Sequence, residues 1–418
     1  MQASRRAGVV LGVLALANTA GYAARNSLFT VYPDLRDRFG LHDAKIGLLT
    51  TAFLLPHALA TLPAGWAGDR YDRRRVIAIG LAITALAGAA GAFATDVTAL
   101  VISRALVGLG AAAIVPIANS IIGQLFDGPR KASRMAIFNL GVLLGGAVGF
   151  GVGAAVGFPG VVVVIAAPTL ALAVVVMFLP VPDHPAAMLT AAQASMSLRL
   201  YLGSLFGQFW QAARELLRIR TLRWMMLSTA AMAFATGGYN AWLVDYLERV
   251  DHMTKESATS LLVITALGAV GGILAGARVA DQLRARTRAG RLWTVVLGMT
   301  LTIPCAICAI ELPPDWRLYV AGVATMFFIS WWHAPMAVSV DDLAPAPRVA
   351  AAQGLVIFAM HFLGTAPSSY VVGLVSDRTG SLYEAMYVPT GAIVVAAASM
   401  LAAIPSFARD ARPDRRMV

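Results

Sequence analysis

Residues 65–75 read GWAGDRYDRRR, and residues 277–286 read ARVADQLRAR. Each places one aspartate, Asp69 or Asp281, between an apolar run and a cluster of arginines, and the two aspartates lie 212 residues apart. Arginine clusters between long apolar stretches mark the cytoplasmic edge of a membrane protein. A second echo, Arg104 in RALVGLGAA and Arg317 in RLYVAGVA, falls at an offset of 213. The near-equal offsets predict two halves of similar build.

Composition around these stretches agrees. Of 418 residues, 58% are hydrophobic and only 13% charged, about half the usual charged share of a soluble domain; mean hydropathy is +0.72. A water-facing surface cannot be built from that. With the 38 glycines, about 280 residues are available for bilayer-crossing helices of about 23 residues, enough for twelve. Apolar runs fall at 9–31, 44–66, 76–95, 98–124, 135–158 and 160–181, then at 224–247, 257–279, 292–311, 317–340, 350–373 and 382–404. The basic start MQASRRAG resembles a secretory leader, but the spans that follow make a retained first helix the better reading. The expected fold is therefore an all-α integral membrane protein of twelve helices, with an N-terminal half at 1–181 and a C-terminal half with its tail at 223–418. Between them, 182–222 reads as a cytoplasmic linker containing an amphipathic helix on the membrane surface, with no regulatory duty required of it.

Placing the N-terminus inside puts 24 Lys and Arg on cytoplasmic segments and seven outside, with Arg25 and Arg104 within spans. That asymmetry predicts both termini in the cytoplasm of a bacterial inner membrane. The +11 net charge is scattered through these loops, so it indicates orientation and not nucleic acid. Two cysteines, Cys305 and Cys308, no His/Cys cluster of metal-ligand spacing and no GxxxxGK[ST] loop exclude a disulfide scaffold, a zinc site and an ATP-driven pump. No cofactor, metal or catalytic residue is expected, and the chain reads as a monomer.

The stretch from Gly65 through Asp69, Arg70, Arg73 and Arg74 resembles the GxxxD[RK]xG[RK][RK] signature of the major facilitator superfamily, with Asp72 where glycine is usual. Arg104 with Gly108 and Gly110 resembles its fourth-helix motif. Glycines 141, 145, 146, 149, 151 and 153 are similar to its fifth-helix antiporter motif, although Gly146 stands where proline is expected. In the eleventh span HFLGTAPSSYVVGLVSD resembles the HxLGDAxSPYxxGLxSD of the spinster-like branch, matching at His361, Gly364, Ala366, Ser368, Tyr370, Gly373 and Asp377. GDRYDRR and ALVGLGAAA are likewise similar to that branch's GDRYNRK and GLVGVGEAS. Two departures stand out: the branch's first-helix Asp-Arg pair is here Ala24-Arg25, and its fourth-helix Glu is Ala111. The resemblance implies the major facilitator fold, alternating access, a cavity lined by helices 1, 4, 7 and 10, and a lysophospholipid-like substrate. It also implies gating by Gly65, Asp69, Arg70, Arg73, Arg74 and Arg104.

A charge inside a bilayer is costly, so Arg25 must face a cavity, a partner or an interface. An anionic head group suits its planar fork of donors; a structural hydrogen-bond role and a place at the outer interface are the alternatives. Asn18, Tyr22, Tyr239, Asn240, Trp242, Trp331, Trp332, His333 and His361 complete the candidate substrate site, against the reading that each packs or anchors. Protons are the candidate coupling ion, through Asp69, His57, His361 or Asp245. Rival functions are proton-coupled multidrug or organic-solute export, a non-transporting receptor derived from a carrier, and a membrane enzyme using the buried histidines.

Overall fold

The computed structural model describes residues 2–126, 130–181, 197–345 and 348–411. The chain divides into two compact units, Met1–Ser204 and Leu205–Val418, with the division inside the segment 182–222. All the described regular structure is helical.

The first unit begins with α1 (Gln2–Asn26), a 3-10 turn at Phe29–Val31, and α2 (Tyr32–Phe39). Then come α3 (Asp43–Arg70), α4 (Arg73–Gly91), α5 (Val97–Ala111), α6 (Ile114–Leu125) and α7 (Arg130–Met177). α7 is two helices joined at Gly157, whose φ of 64° favours glycine; the neighbouring Phe158 amide donates to Asp34 Oδ2 at 2.7 Å. The second unit has α8 (Leu198–Leu216), starting just before its boundary, α9 (Arg220–Arg249), α10 (Lys255–Arg286), α11 (Gly290–Glu311), α12 (Trp316–Ile329) and α13 (His333–Leu343). It closes with α14 (Val349–Ala359), a π turn at Met360–Thr365, α15 (Ala366–Thr379), α16 (Leu382–Ala385) and α17 (Tyr387–Asp410).

Ten described stretches are long and apolar enough to cross a membrane, and one of them, Ile137–Met177, contains the Gly157 break. α9 is a further 30-residue helix whose Thr221, Ser228, Thr229 and Asp245 are buried within its own unit. With these two considerations the described helices account for the twelve expected spans.

Prolines explain where helices are interrupted, because each lacks an N–H and crowds the carbonyl four residues back. Pro116 follows the α5–α6 break, Pro335 follows the 3-10 turn Ser330–Trp332, and Pro367 follows the π turn. Glycines explain where helices touch. Along α7, a Cβ on Gly141 would sit 2.8 Å from the Ala15 carbonyl oxygen, on Gly145 2.5 Å from that of Thr19, and on Gly149 2.8 Å from that of Ala23. The stripe seats α7 directly on the α1 backbone, the close packing expected of small residues between membrane helices. Gly268, Gly272 and Gly276 of α10 make the same kind of contact with Val323, Phe327 and Trp331.

The internal repeat is visible in packing, with one correction. Gly108 of α5 rests on the Phe53 carbonyl of α3, and Gly268 of α10 rests on that of Val323 in α12. Both pairs, 53 with 268 and 108 with 323, are 215 residues apart, so the same crossing occurs in each unit with the glycine on the opposite helix. Arg317 is not the counterpart of Arg104. It is the second residue of α12, bonded to the capping Asp315, whereas Arg104 is buried in mid-α5.

Candidate functional site

The α1 backbone ends at Asn26, leaving its last carbonyls without helical donors. Arg104 supplies them. Its two terminal nitrogens donate to Ala24 O at 2.9 Å and Arg25 O at 3.0 Å, with the guanidinium 5.2 Å above the Phe53 ring. A cation at a helix C-terminus also opposes the helix dipole. Arg104 therefore fastens α5 to α1.

The Arg25 side chain takes another course. It lies 5.6 Å over the ring of Tyr22, and its Nε is buried with no hydrogen-bond partner among the described residues. No ion pair joins Arg25 to a described carboxylate. It opens on a small cavity of about 30 Å³ shared with Asn18, Tyr22, Phe53, His57 and Ala111, room for about a water molecule. His57 is positioned by its Nδ1, 3.2 Å from Gly108 O, and by stacking on Phe53 at 5.5 Å. Asn18 is buried and donates to Phe138 O at 3.0 Å, so its amide also ties α1 to α7. The structure thus brings Asn18, Tyr22, Arg25 and His57 together within one unit.

The candidates of the second unit are dispersed. Trp242 is fully buried and its indole donates to Ser369 O at 2.9 Å. Tyr239 shares a 2.5 Å hydrogen bond with Thr390. Both hold α9 against its neighbours and present no open face in this conformation. Trp331 and Trp332 are buried, their indole nitrogens without a hydrogen-bond partner among the described residues, and His333 lies tilted against Trp332 at 4.5 Å while its Nδ1 meets Ser330 O at 3.1 Å. Asn240 is half-buried, and His361 is half-buried in the π turn. That turn's motif is used in packing, with Gly364 close to Ala230 and Ala233 of α9. Asp245, a proton-coupling candidate from sequence, is fully buried and paired with Arg249 at 3.2 Å.

The loop around Asp69 divides its arginines. Arg73, almost wholly buried, donates to Gln124 Oε1 and Ser120 Oγ, both at 2.8 Å, and so braces α4 against α6. Asp72 caps α4 by accepting from the Arg74 amide at 3.0 Å and pairs with that side chain at 2.8 Å. The Arg74 guanidinium beside it holds the Asp72 carboxyl below its usual range. This capping duty accounts for an aspartate where the signature has glycine. Asp69 is exposed, and Arg70 lies 4.9 Å over the Trp66 ring. Neither the cap at Asp72 nor the Gln124 and Ser120 anchors were singled out from sequence. An aspartate immediately before a helix was the signal available for the cap.

Two helical units with repeated crossings, helices interrupted beside prolines and a half-buried cation at a small cavity describe a secondary transporter. Residues 14–366 match the Major Facilitator Superfamily, and the chain belongs to it. Its relatives place it in the spinster-like branch. Protein spinster homolog 3 of Danio rerio is 28% identical over 397 residues, covering 89% of this chain and 77% of the relative. Sphingosine-1-phosphate transporter SPNS2 of Mus musculus is 28% identical over 393 residues, covering 87% and 69%. In fold, the chain matches a bacterial homolog to the human lysosomal transporter Spinster, inward-facing and unoccupied, with a TM-score of 0.81, 19% identity and coverage of 98% and 99%. The protein is thus a multi-pass membrane transporter.

Proposed function

We propose that this transporter moves an anionic, lysophospholipid-like amphiphile across a bacterial inner membrane by alternating access, with Arg25 receiving the head group. The observation that carries the reading is the Arg25 guanidinium, whose Nε is buried and unpartnered at a cavity with no carboxylate in its lining. A half-buried cation whose Nε is already out of water favours an anion there, and a guanidinium fork binds phosphate well. Phe53, Ile114 and Val115 supply apolar walls. SPNS2, a relative over most of the chain, is named for a sphingolipid phosphate. The lack of lining carboxylates disfavours export of cationic drugs. In this conformation the cavity is too small for a head group, so occupancy requires it to widen. Gating falls to Gly65, Asp69, Arg70 and Arg74, with Arg73 and Arg104 as fixed braces.

The test is binding and flux of a labelled lysophospholipid in proteoliposomes, comparing wild type with Arg25→Ala. Losing a charge pair in a dry site costs about 2 kcal/mol or more, so affinity should fall about thirtyfold or more while the protein remains folded. Equal affinity would overturn the assignment of Arg25. Folded protein that binds but carries no flux would favour the receptor reading.

A further inference from the structure

We infer that the second unit carries a site for one anionic phospholipid of the cytoplasmic leaflet, separate from the cavity at Arg25. An open groove of about 510 Å³ runs along this unit, within the size range of ligand pockets, about 300–1,000 Å³. Met226, Leu227 and Phe234 of α9, Leu363 of the π turn and Val388 and Val395 of α17 make its walls, and alanines of α9, α14 and α17 leave the space between them. Leu227, Leu363 and Val395 are exposed, so the groove is an uncovered apolar surface within the spans, where acyl chains are the solvent. Apolar contact selects nothing there, because lipid tails are as apolar as leucine. Selectivity has to come from a charged end.

The lining has one charged residue, Arg223, in the first turn of α9. Phe234 lies about 16 Å further along the same helix, so cation and apolar walls follow one another as head group and chain do in a lipid. Arg223 is exposed, and its guanidinium has no carboxylate partner among the described residues. The carboxylates on neighbouring segments are engaged elsewhere: Asp410 Oδ2 accepts from the Thr221 amide and hydroxyl at 3.0 and 2.7 Å, and Glu215 pairs with Arg348 at 3.2 Å. Thr221 and Arg223, two residues apart on a helix, do not share a face. Arg218 and Arg220, both exposed, add positive charge just before Arg223 in the chain. With the orientation expected from the basic loops, Arg223 stands at the head-group level of the cytoplasmic leaflet, whose anionic lipids attract basic residues. A phosphodiester there pairs with the guanidinium while one chain follows α9 towards Phe234. The chain also crosses Leu363, bracing the π turn against α9.

The experiment is native mass spectrometry of the full chain released from a nonionic detergent, with phosphatidylglycerol or phosphatidylcholine of identical acyl chains added. Wild type should retain one phosphatidylglycerol about fivefold more tightly than phosphatidylcholine, the factor for one basic residue at an anionic lipid surface. Arg223→Gln should abolish that preference. Ala392→Leu, which fills the groove, should weaken retention of both lipids, and Arg25→Ala should change neither. Melting curves establish that each variant is folded. Equal retention of the two lipids by wild type needs no variant and overturns the proposal. A preference that survives in folded Arg223→Gln overturns it as well. Loss of the retained lipid in Arg25→Ala places that lipid in the transport cavity and so removes the separate site. A dimer that disappears in Ala392→Leu assigns the groove to a second copy of this chain, with the same consequence. The site at Arg223 does not depend on the head-group role of Arg25, so either assignment can fail while the other stands.

Discussion

Consecutive arginines at 73, 74 and 75 look interchangeable in sequence and meet three different environments. Arg73 is buried between two helices, Arg74 is part-exposed on Asp72, and Arg75 is 72% exposed. Arg73→Ala leaves Gln124 and Ser120 without their charged donor and should lower stability by about 2–4 kcal/mol. Arg74→Ala removes a surface pair and should cost under about 1 kcal/mol. Thermal melts of the two purified variants should separate accordingly; equal shifts would contradict the bracing role of Arg73. Asp251, in the connection after α9, offers a pH test. Burial pushes its carboxyl up to about 6 from 3.8, with His252 opposing in part. The native state therefore holds this proton more tightly than the unfolded chain. The resulting stability is fully present below pH 3.8 and is lost as pH rises through about 6. Asp251→Asn should consequently melt higher than wild type at pH 8, and the gap should close as pH falls through 6 towards 4. A gap that widens on acidification would reverse the argument.

At the scale of the helix, the glycine spacing is the most informative pattern. Gly145 and Gly151 both lie in α7, but a Cβ on Gly145 would press on Thr19 O and the Tyr22 Cβ, whereas nothing lies within 4 Å of the Gly151 position. Gly145→Ala should destabilise by about 1–3 kcal/mol through overpacking. Gly151→Ala should be neutral or gain up to about 1 kcal/mol from helix propensity. Melting curves of the pair decide, and the stripe would lose its packing role if the two behaved alike. The same scale shows what could be read from sequence. Apolar runs gave the helices, which depend on residue type and spacing alone, whereas the close crossings at the glycines of α7 and α10 come from the structure. Tyr239 and Trp242 were expected at a ligand, but bond Thr390 and Ser369, and Asn18 both lines the Arg25 cavity and bonds Phe138. A polar side chain in a membrane helix can satisfy itself on a ligand or on the next helix. One sequence does not say which helix lies opposite. Arg317 was paired with Arg104 for a related reason: equal offsets locate a residue along the chain, not its depth in a helix.

For the whole molecule, the charge distribution sets a direction that packing within either unit does not. The clusters after Asp69 and Asp281 close α3 and α10 at equivalent places in the two units, and on the topology expected from sequence 24 of 33 Lys and Arg fall on the cytoplasmic side. Cytoplasmic retention of basic loops then orients every connection. The connections at His42, Thr95 and Thr379 should face outward, and those at Tyr71 and Ala285 inward; Tyr71 is 56% exposed and open to reagent. Single cysteines at these five positions, with Cys305 and Cys308 changed to alanine, can be challenged with a membrane-impermeant maleimide. The first three should label in intact spheroplasts, the last two only after permeabilisation. The reverse pattern would invert the molecule, and a mixed pattern would break the count of crossings.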